Sequence, residues 1–168
     1  DPYTSAWSFT DNLYDGSEKH WSGKDFPLIG VAKVDGQTYR FMGTEELELR
    51  PLVKTSEQGD WTGKYTTQKP ADGWQNIGFN AAWKEGQGAF GTMENEHVAK
   101  TQWGEEFIWV RRTADIQEDL TGKNIYLEYS HDDDVIIYIN GIKVVDTGNA
   151  CKKHVQVKLS EEVVASLK

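Results

Sequence analysis

Three consecutive acids, Asp132-Asp133-Asp134, stand between two strand-like runs. Adjacent carboxylates repel one another unless a counter-charge offsets them. A hard cation such as Ca²⁺ would do so, because it takes carboxylate and carbonyl oxygens at loop ends. The triplet is therefore the candidate metal site. The alternative is that one Asp caps the turn, one pairs with an arginine and one is solvated. The stretch is not an EF-hand, since the alternating Asp-x-Asp-x-Asp-Gly spacing and terminal Glu are missing. Arg111 and Arg112 are neighbours on a strand and so point to opposite faces. Whichever is buried needs a carboxylate, and the Asp triplet is the nearest source. The sharper role for such an arginine is to hydrogen-bond sugar hydroxyls. Trp61, Trp74, Trp83, Trp103 and Trp109 carry the stacking chemistry. Sugar rings present C–H faces that pack on indole, while polar neighbours read the hydroxyls. Trp74 and Trp83 lie in an irregular segment and are the candidate ligand platform, with Arg111 and Asn140 as its polar groups. The alternative makes the indoles core and loop plugs, and Trp109, mid-strand, belongs there.

Signals for catalysis are weak. Acid–base chemistry needs two positioned carboxylates or a His–carboxylate pair. Glu105-Glu106 and Glu94/Glu96 sit in polar loops without a partner pattern, and His20, His97, His131 and His154 are scattered. There is no G-x-S-x-G elbow and no P-loop. Gly86-Gln87-Gly88-Ala89-Phe90-Gly91 lacks the preceding strand and following helix of a dinucleotide motif. Cys151 has Lys152, Lys153 and His154 beside it, which could lower its pKa. Otherwise it is a plain thiol at a hairpin exit. The expectation is no hydrolase activity.

The 168-residue, 19.1 kDa chain has one cysteine, so it forms no internal disulfide and no Cys-based zinc site. A net charge of −9 argues against nucleic acid and anionic membrane as partners. No apolar run approaches the roughly 20 residues of a membrane span. The chain opens at Asp1-Pro2, so any export signal is expected to be removed or to lie outside it. Aromatics make up 12% of a polar chain in which Ala and Leu are sparse, which leans toward an all-β fold.

The elements that must position these residues are short strands. Pro27–Val34 and Gln37–Met42 flank Asp35-Gly36; Val135–Ile139 and Ile142–Val145 flank Asn140-Gly141. Each pair reads as a hairpin on a type I′ turn. Glu45–Leu52 alternates, with Pro51 confining its end to an edge. Lys54–Gly63 is polar and reads as a boundary. Lys69–Trp103 is a long irregular stretch. Phe107–Ile116, Asn124–Ser130 and Lys153–Leu159 read as strands, and Ser160 caps a short helix over 161–167. The predicted fold is an all-β sandwich or jelly roll with an N-terminal strand leader (1–55) and a module over 56–168.

Two stretches carry a resemblance. DPYTSAWSFTDNLYDGSEKHWSGKDFPLIGVAKVDGQTYRFMG resembles the N-terminal segment of glutaminase A-like proteins, which are large secreted or cell-envelope proteins. WKEGQGAFGT, TQWGEEFIWVRR and YSHDDDVIIYING, in that order, are similar to the galactose-binding-like jelly roll near the front of such chains. Related modules accompany glycoside hydrolases and often hold a structural calcium. The family's catalytic region lies in a later helical domain that nothing here matches. The resemblance thus implies a non-catalytic accessory module of a periplasmic or extracellular multidomain protein. It would dock on neighbouring domains and bind a glycan. A ligand-free spacer and a fragment with hydrolase activity are the alternatives. A core strand follows the helix in similar modules, so the fold is expected to be truncated at its C-terminal end and to self-associate through unpaired strand edges.

Overall fold

The computed structural model describes residues 5–26, 28–44, 47–92 and 99–167. It falls into two compact units, Asp1–Glu48 and Leu49–Lys168. Residues 49–55, read above with the leader, belong to the second.

In the first unit, β1 (Gly30–Val34) and β2 (Gln37–Met42) form an antiparallel hairpin. Asp35 and Gly36 turn it with φ of 50° and 82°, the two positive values that a type I′ turn requires. Pro27, in the predicted first strand, lies outside the described residues. A bulge between Gly30 and Val31 shifts the register, and a Cβ on Gly30 would sit 2.7 Å from the Phe41 ring. Glycine is what lets that ring lie across the strand. Among the described residues before the hairpin the strand-like pairings are isolated bridges, Trp7 to Lys19 and Lys19 to Asp25. The Arg40 guanidinium joins it to the hairpin by donating to the Gly43 and Tyr14 carbonyls. None of the unit's described apolar side chains is buried. Among its described residues the one buried charged side chain is Glu18, both of whose carboxyl oxygens lack a hydrogen-bond partner.

The second unit is also built from strands. β3 (Thr62–Thr66) lies between β4 (Lys84–Gln87) and β7 (Trp109–Arg111), antiparallel to both. β5 (Phe90–Gly91) and β6 (Thr101–Gln102) make a short parallel pair. β8 (Tyr126–His131) pairs with β11 (Lys152–Lys158), and β9 (Ile136–Ile139) with β10 (Ile142–Asp146). The β9–β10 turn repeats the first hairpin's solution, with Asn140 at φ 51° and Gly141 at φ 87°. The helix α1 (Glu161–Ser166) starts where expected. The Ser160 hydroxyl accepts from the Val163 N–H, and Glu161 and Glu162 occupy the positive end of the helix. The chain is therefore all-β with one short C-terminal helix, an arrangement consistent with a β-sandwich.

Two strand expectations change. Glu45 and Glu46 lie outside the described residues, and 47–52 forms no strand. Pro51 donates no backbone hydrogen bond, Arg50 turns to Glu118, and Leu52 packs on the core. The predicted strand Phe107–Ile116 shrinks to Trp109–Arg111, the stretch that meets β3. Conversely, β4, β5 and β6 occur inside the stretch read as irregular.

The core is Leu120, Ile125, Leu159 and Val163, with Leu127, Ile139, Ile142 and Val144 packed around it. The Leu159 N–H bonds the Ile125 carbonyl at 2.8 Å, tying the helix entry to this cluster. Among the described residues no helix is long and apolar enough to cross a membrane. Arg50 clamps Glu118 through two bonds of 2.7 and 2.6 Å, and Lys123 adds a third at 3.3 Å. Those donors, Arg50 first, hold the Glu118 carboxyl at a pKa of about 2.

Two outcomes follow. Leu159→Ala should destabilise the chain by about 2–5 kcal/mol in denaturant unfolding, and a loss below ~1 kcal/mol would remove Leu159 from the core. The folded-state pKa of Glu118 lies below its unfolded value of about 4.3. Its contribution is therefore present above pH ~4.3 and lost as pH falls toward about 2. Glu118→Gln should flatten the fall in stability across that window and leave the slope near neutral pH unchanged. Because the pair faces solvent, high salt should shrink the difference. Superimposable acid limbs would count against the clamp.

Candidate functional site

Arg111 is the last residue of β7, and Tyr138 lies in β9. The loop between β3 and β4 supplies Trp74, Asn76, Phe79 and Trp83. Gly73 and Gly78, both at φ 79°, bend this loop twice. The Asn76 N–H bonds the Gly73 carbonyl at 3.0 Å, and the Phe79 N–H bonds the Asn76 carbonyl at 3.4 Å. The Arg111 guanidinium then takes hold of the bend. It donates to the Trp74 carbonyl and, at 3.0 Å, to the Asn76 carbonyl, and it lies 5.5 Å from the Phe79 ring centroid. A delocalised planar cation suits all three contacts at once.

Four rings gather around this anchor. Trp74 and Trp83 have centroids 6.2 Å apart at 36°. Tyr138 meets Trp74 edge-on at 5.8 Å, and Phe79 meets Trp83 at 5.9 Å. All four are half-buried. The rings thus form a bent, partly open aromatic wall with carbonyl and amide groups along it. Such a wall can pack against an apolar ligand face and offer hydrogen bonds at the edge.

The structure brings Trp74, Trp83 and Arg111 together, as singled out from the sequence. Asn140 is used differently. Its side-chain amide donates to the Ser166 carbonyl at 2.6 Å, fastening the hairpin tip to the end of α1. Its neighbour Gly141 abuts the loop: a Cβ there would lie 2.7 Å from the Asn76 Oδ1. Tyr138 and Asn76 were not singled out. Tyr138 lies in the apolar run Val135–Ile139, which marks a strand and not a ligand group, and Asn76 carries no signal of its own.

The arginines' expected carboxylate partner is a correction. Among the described residues neither Arg111 nor Arg112 pairs with an acid. Arg112 lies 4.6 Å from the Trp61 ring centroid and donates to the Lys54 carbonyl at 2.5 Å. Its burial pushes the guanidinium pKa down. Backbone carbonyls and indole thus offset the charges. Trp61 itself donates from Nε1 to the Ser56 Oγ at 2.9 Å. Trp109, expected in the core, is half-buried and packs on Phe107 at 5.9 Å.

The acid triplet is spread over separate tasks. Asp132 hydrogen-bonds the Cys151 thiol. Asp133, at φ 61°, accepts from the Asn149 amide at 3.2 Å, and its carbonyl oxygen lies 2.9 Å from His131 Nδ1. Asp134 is exposed. Among the described residues no group of three or more acid, histidine or cysteine side chains is placed to hold one ion. The side chains of Asp132, Asp133 and Asp134 therefore do not fit a preformed Ca²⁺ site. The Cys151 thiol is exposed and its pKa is raised, first by the hydrogen bond to Asp132 and then by that carboxylate's charge. The lowering expected from the neighbouring lysines is outweighed. Glu94, Glu96 and His97 lie outside the described residues.

A family model described as "Domain of unknown function (DUF4964)" matches residues 1–54, about a third of the chain and none of the aromatic wall. No curated protein and no solved structure matches the chain.

The geometry at Asp132–Asp134 sets an expectation for metal. A cation that binds the folded state raises Tm by mass action. Millimolar Ca²⁺ added after EDTA treatment should leave Tm unchanged. A rise of several degrees that Asp133→Asn abolishes would show that the triplet assembles around the ion.

Proposed function

We propose that this chain is a non-catalytic accessory module of a secreted or periplasmic, glutaminase-like multidomain protein, and that it binds a glycan at the wall formed by Trp74, Trp83 and Tyr138. The observation that supports this reading is the anchoring of that wall. Arg111 holds the backbone beneath Trp74 from two carbonyls, so the rings are set in place before any ligand arrives. Preorganised aromatic faces lose little entropy when a ligand packs on them. A pyranose has an apolar C–H face of matching character, and the exposed Asn76 offers an amide to its hydroxyls. In the parent protein the module would dock on neighbouring domains, with catalysis carried out elsewhere. A ligand-free spacer is the second reading. It draws on the ring-to-ring contacts, through which the aromatics partly satisfy one another.

A glycan array followed by calorimetric titration tests the proposal. Few groups are buried at one open wall, so binding should be weak, with Kd above about 100 µM. Trp83→Ala and Trp74→Ala should each abolish binding while Tm is kept. If either instead loses several kcal/mol of stability, as large core truncations do, the indoles are core and the spacer reading stands. Glutamine and chromogenic glycosides should remain intact in the same preparation. Turnover lost on mutating one acid, one histidine or Cys151 would replace the accessory role by a catalytic one.

A further inference from the structure

The β9–β10 turn and the β1–β2 turn solve one backbone problem with different residues. Both hold two residues at positive φ, and either Asp or Asn before Gly meets that demand. The first turn has Asp35 and the second has Asn140. An aspartate carboxylate only accepts hydrogen bonds, whereas an asparagine amide also donates. At Asn140 the donor is used. Its Nδ2 donates to the Ser166 carbonyl at 2.6 Å and lies 3.4 Å from the Ser166 Oγ, whose own hydrogen goes to the Val163 carbonyl at 2.7 Å. The last carbonyls of a helix have no partner within it, and among the described residues α1 has no basic side chain in its last turn. Asn140 thus closes the C-terminal end of α1 from another element.

We propose that Asn140 is a positioning residue for the aromatic wall, through which α1 holds Tyr138 against Trp74. The inference rests on the ligand reading of that wall. Tyr138 and Ile139 point to opposite faces of β9. Ile139 and, across the turn, Ile142 pack on the core cluster that contains Val163 of α1. Tyr138 meets Trp74 edge-on at 5.8 Å and 79°. The tip also abuts the loop of the wall, because Gly141 leaves room for the Asn76 Oδ1, 2.7 Å from where a Cβ would stand. It is therefore held between α1 and the loop whose carbonyls Arg111 binds. Arg111 fixes the Trp74 side of the ring contact, and Asn140 fixes the Tyr138 side. Freeing the amide would loosen the tip and take Tyr138, two residues away, off Trp74. Glu161, Glu162 and Ala165 of α1 are exposed, so a contact that moves the helix end moves the wall.

Asn140→Asp in the full chain tests the inference, because Asp-Gly keeps the turn, as at Asp35-Gly36, and removes the donor. At neutral pH a carboxylate then faces the Ser166 carbonyl oxygen. In a tyrosine-labelled chain, the ring-current shift that Trp74 imposes on the Tyr138 ring should shrink. Amides of residues 137–142 should exchange roughly two- to tenfold faster than in the parent, as the loss of one ordinary hydrogen bond implies. The glycan Kd should rise by a similar factor. Below about pH 4 the introduced carboxyl is protonated and donates again. Both signals should then return toward those of the parent chain titrated in parallel. Asn140→Gly keeps the turn without a side-chain donor and should show the loss at every pH. The ring and exchange readouts need no ligand, so they decide the latch even where no glycan binds the parent, a result that would count against the ligand reading alone. A Tyr138 signal in Asn140→Asp that matches the parent at neutral pH would overturn the inference and leave Asn140 a helix cap only. A loss that acid does not reverse in Asn140→Asp would overturn it as well.

Discussion

Arg111 is the residue on which the aromatic wall depends. Its guanidinium, half-buried at the end of β7, satisfies two carbonyls of a loop that contributes no strand of its own between β3 and β4. The Asn76 carbonyl also accepts from the Phe79 N–H, so the guanidinium adds a second donor there and joins it to the Trp74 carbonyl. The same cation lies over Phe79, which packs on Trp83, which packs on Trp74. One strand residue thus fixes the positions of three aromatic side chains far from it in sequence. Arg112 does the mirror task on the other face, with Trp61 and the Lys54 carbonyl.

The two units differ in how they are held. The second has a small apolar core, a capped helix and a charged clamp that leads Leu52 toward that core. The first has turn geometry, one guanidinium cross-link and a glycine, Gly43, whose Cβ would lie 1.8 Å from the Leu28 carbonyl oxygen. It is locally well specified yet lacks a buried apolar side chain among its described residues.

Legibility in the sequence followed the range of the interactions. The Asp35-Gly36 and Asn140-Gly141 turns and the Ser160 cap are local, and the residue types alone specified them. Strands of two to four residues such as β4, β5 and β6 are defined by their partners and leave no period to read. Trp74, Trp83 and Arg111 were legible as candidates because their side chains carry the chemistry. What joins them was not, since a guanidinium that bonds main-chain carbonyls leaves no mark on its partner's residue type. For the same reason the residue types point an arginine to the acid triplet, whereas Asp132 and Asp133 face Cys151 and Asn149.

Amide hydrogen exchange in Arg111→Ala measures the central claim most directly. Exchange reports the opening of each segment separately. Amides of residues 73–83 should exchange much faster once the guanidinium is gone, while those of β8 and β11 keep their protection. Unchanged protection across 73–83 would contradict it, because the loop would then hold the aromatic wall without its anchor.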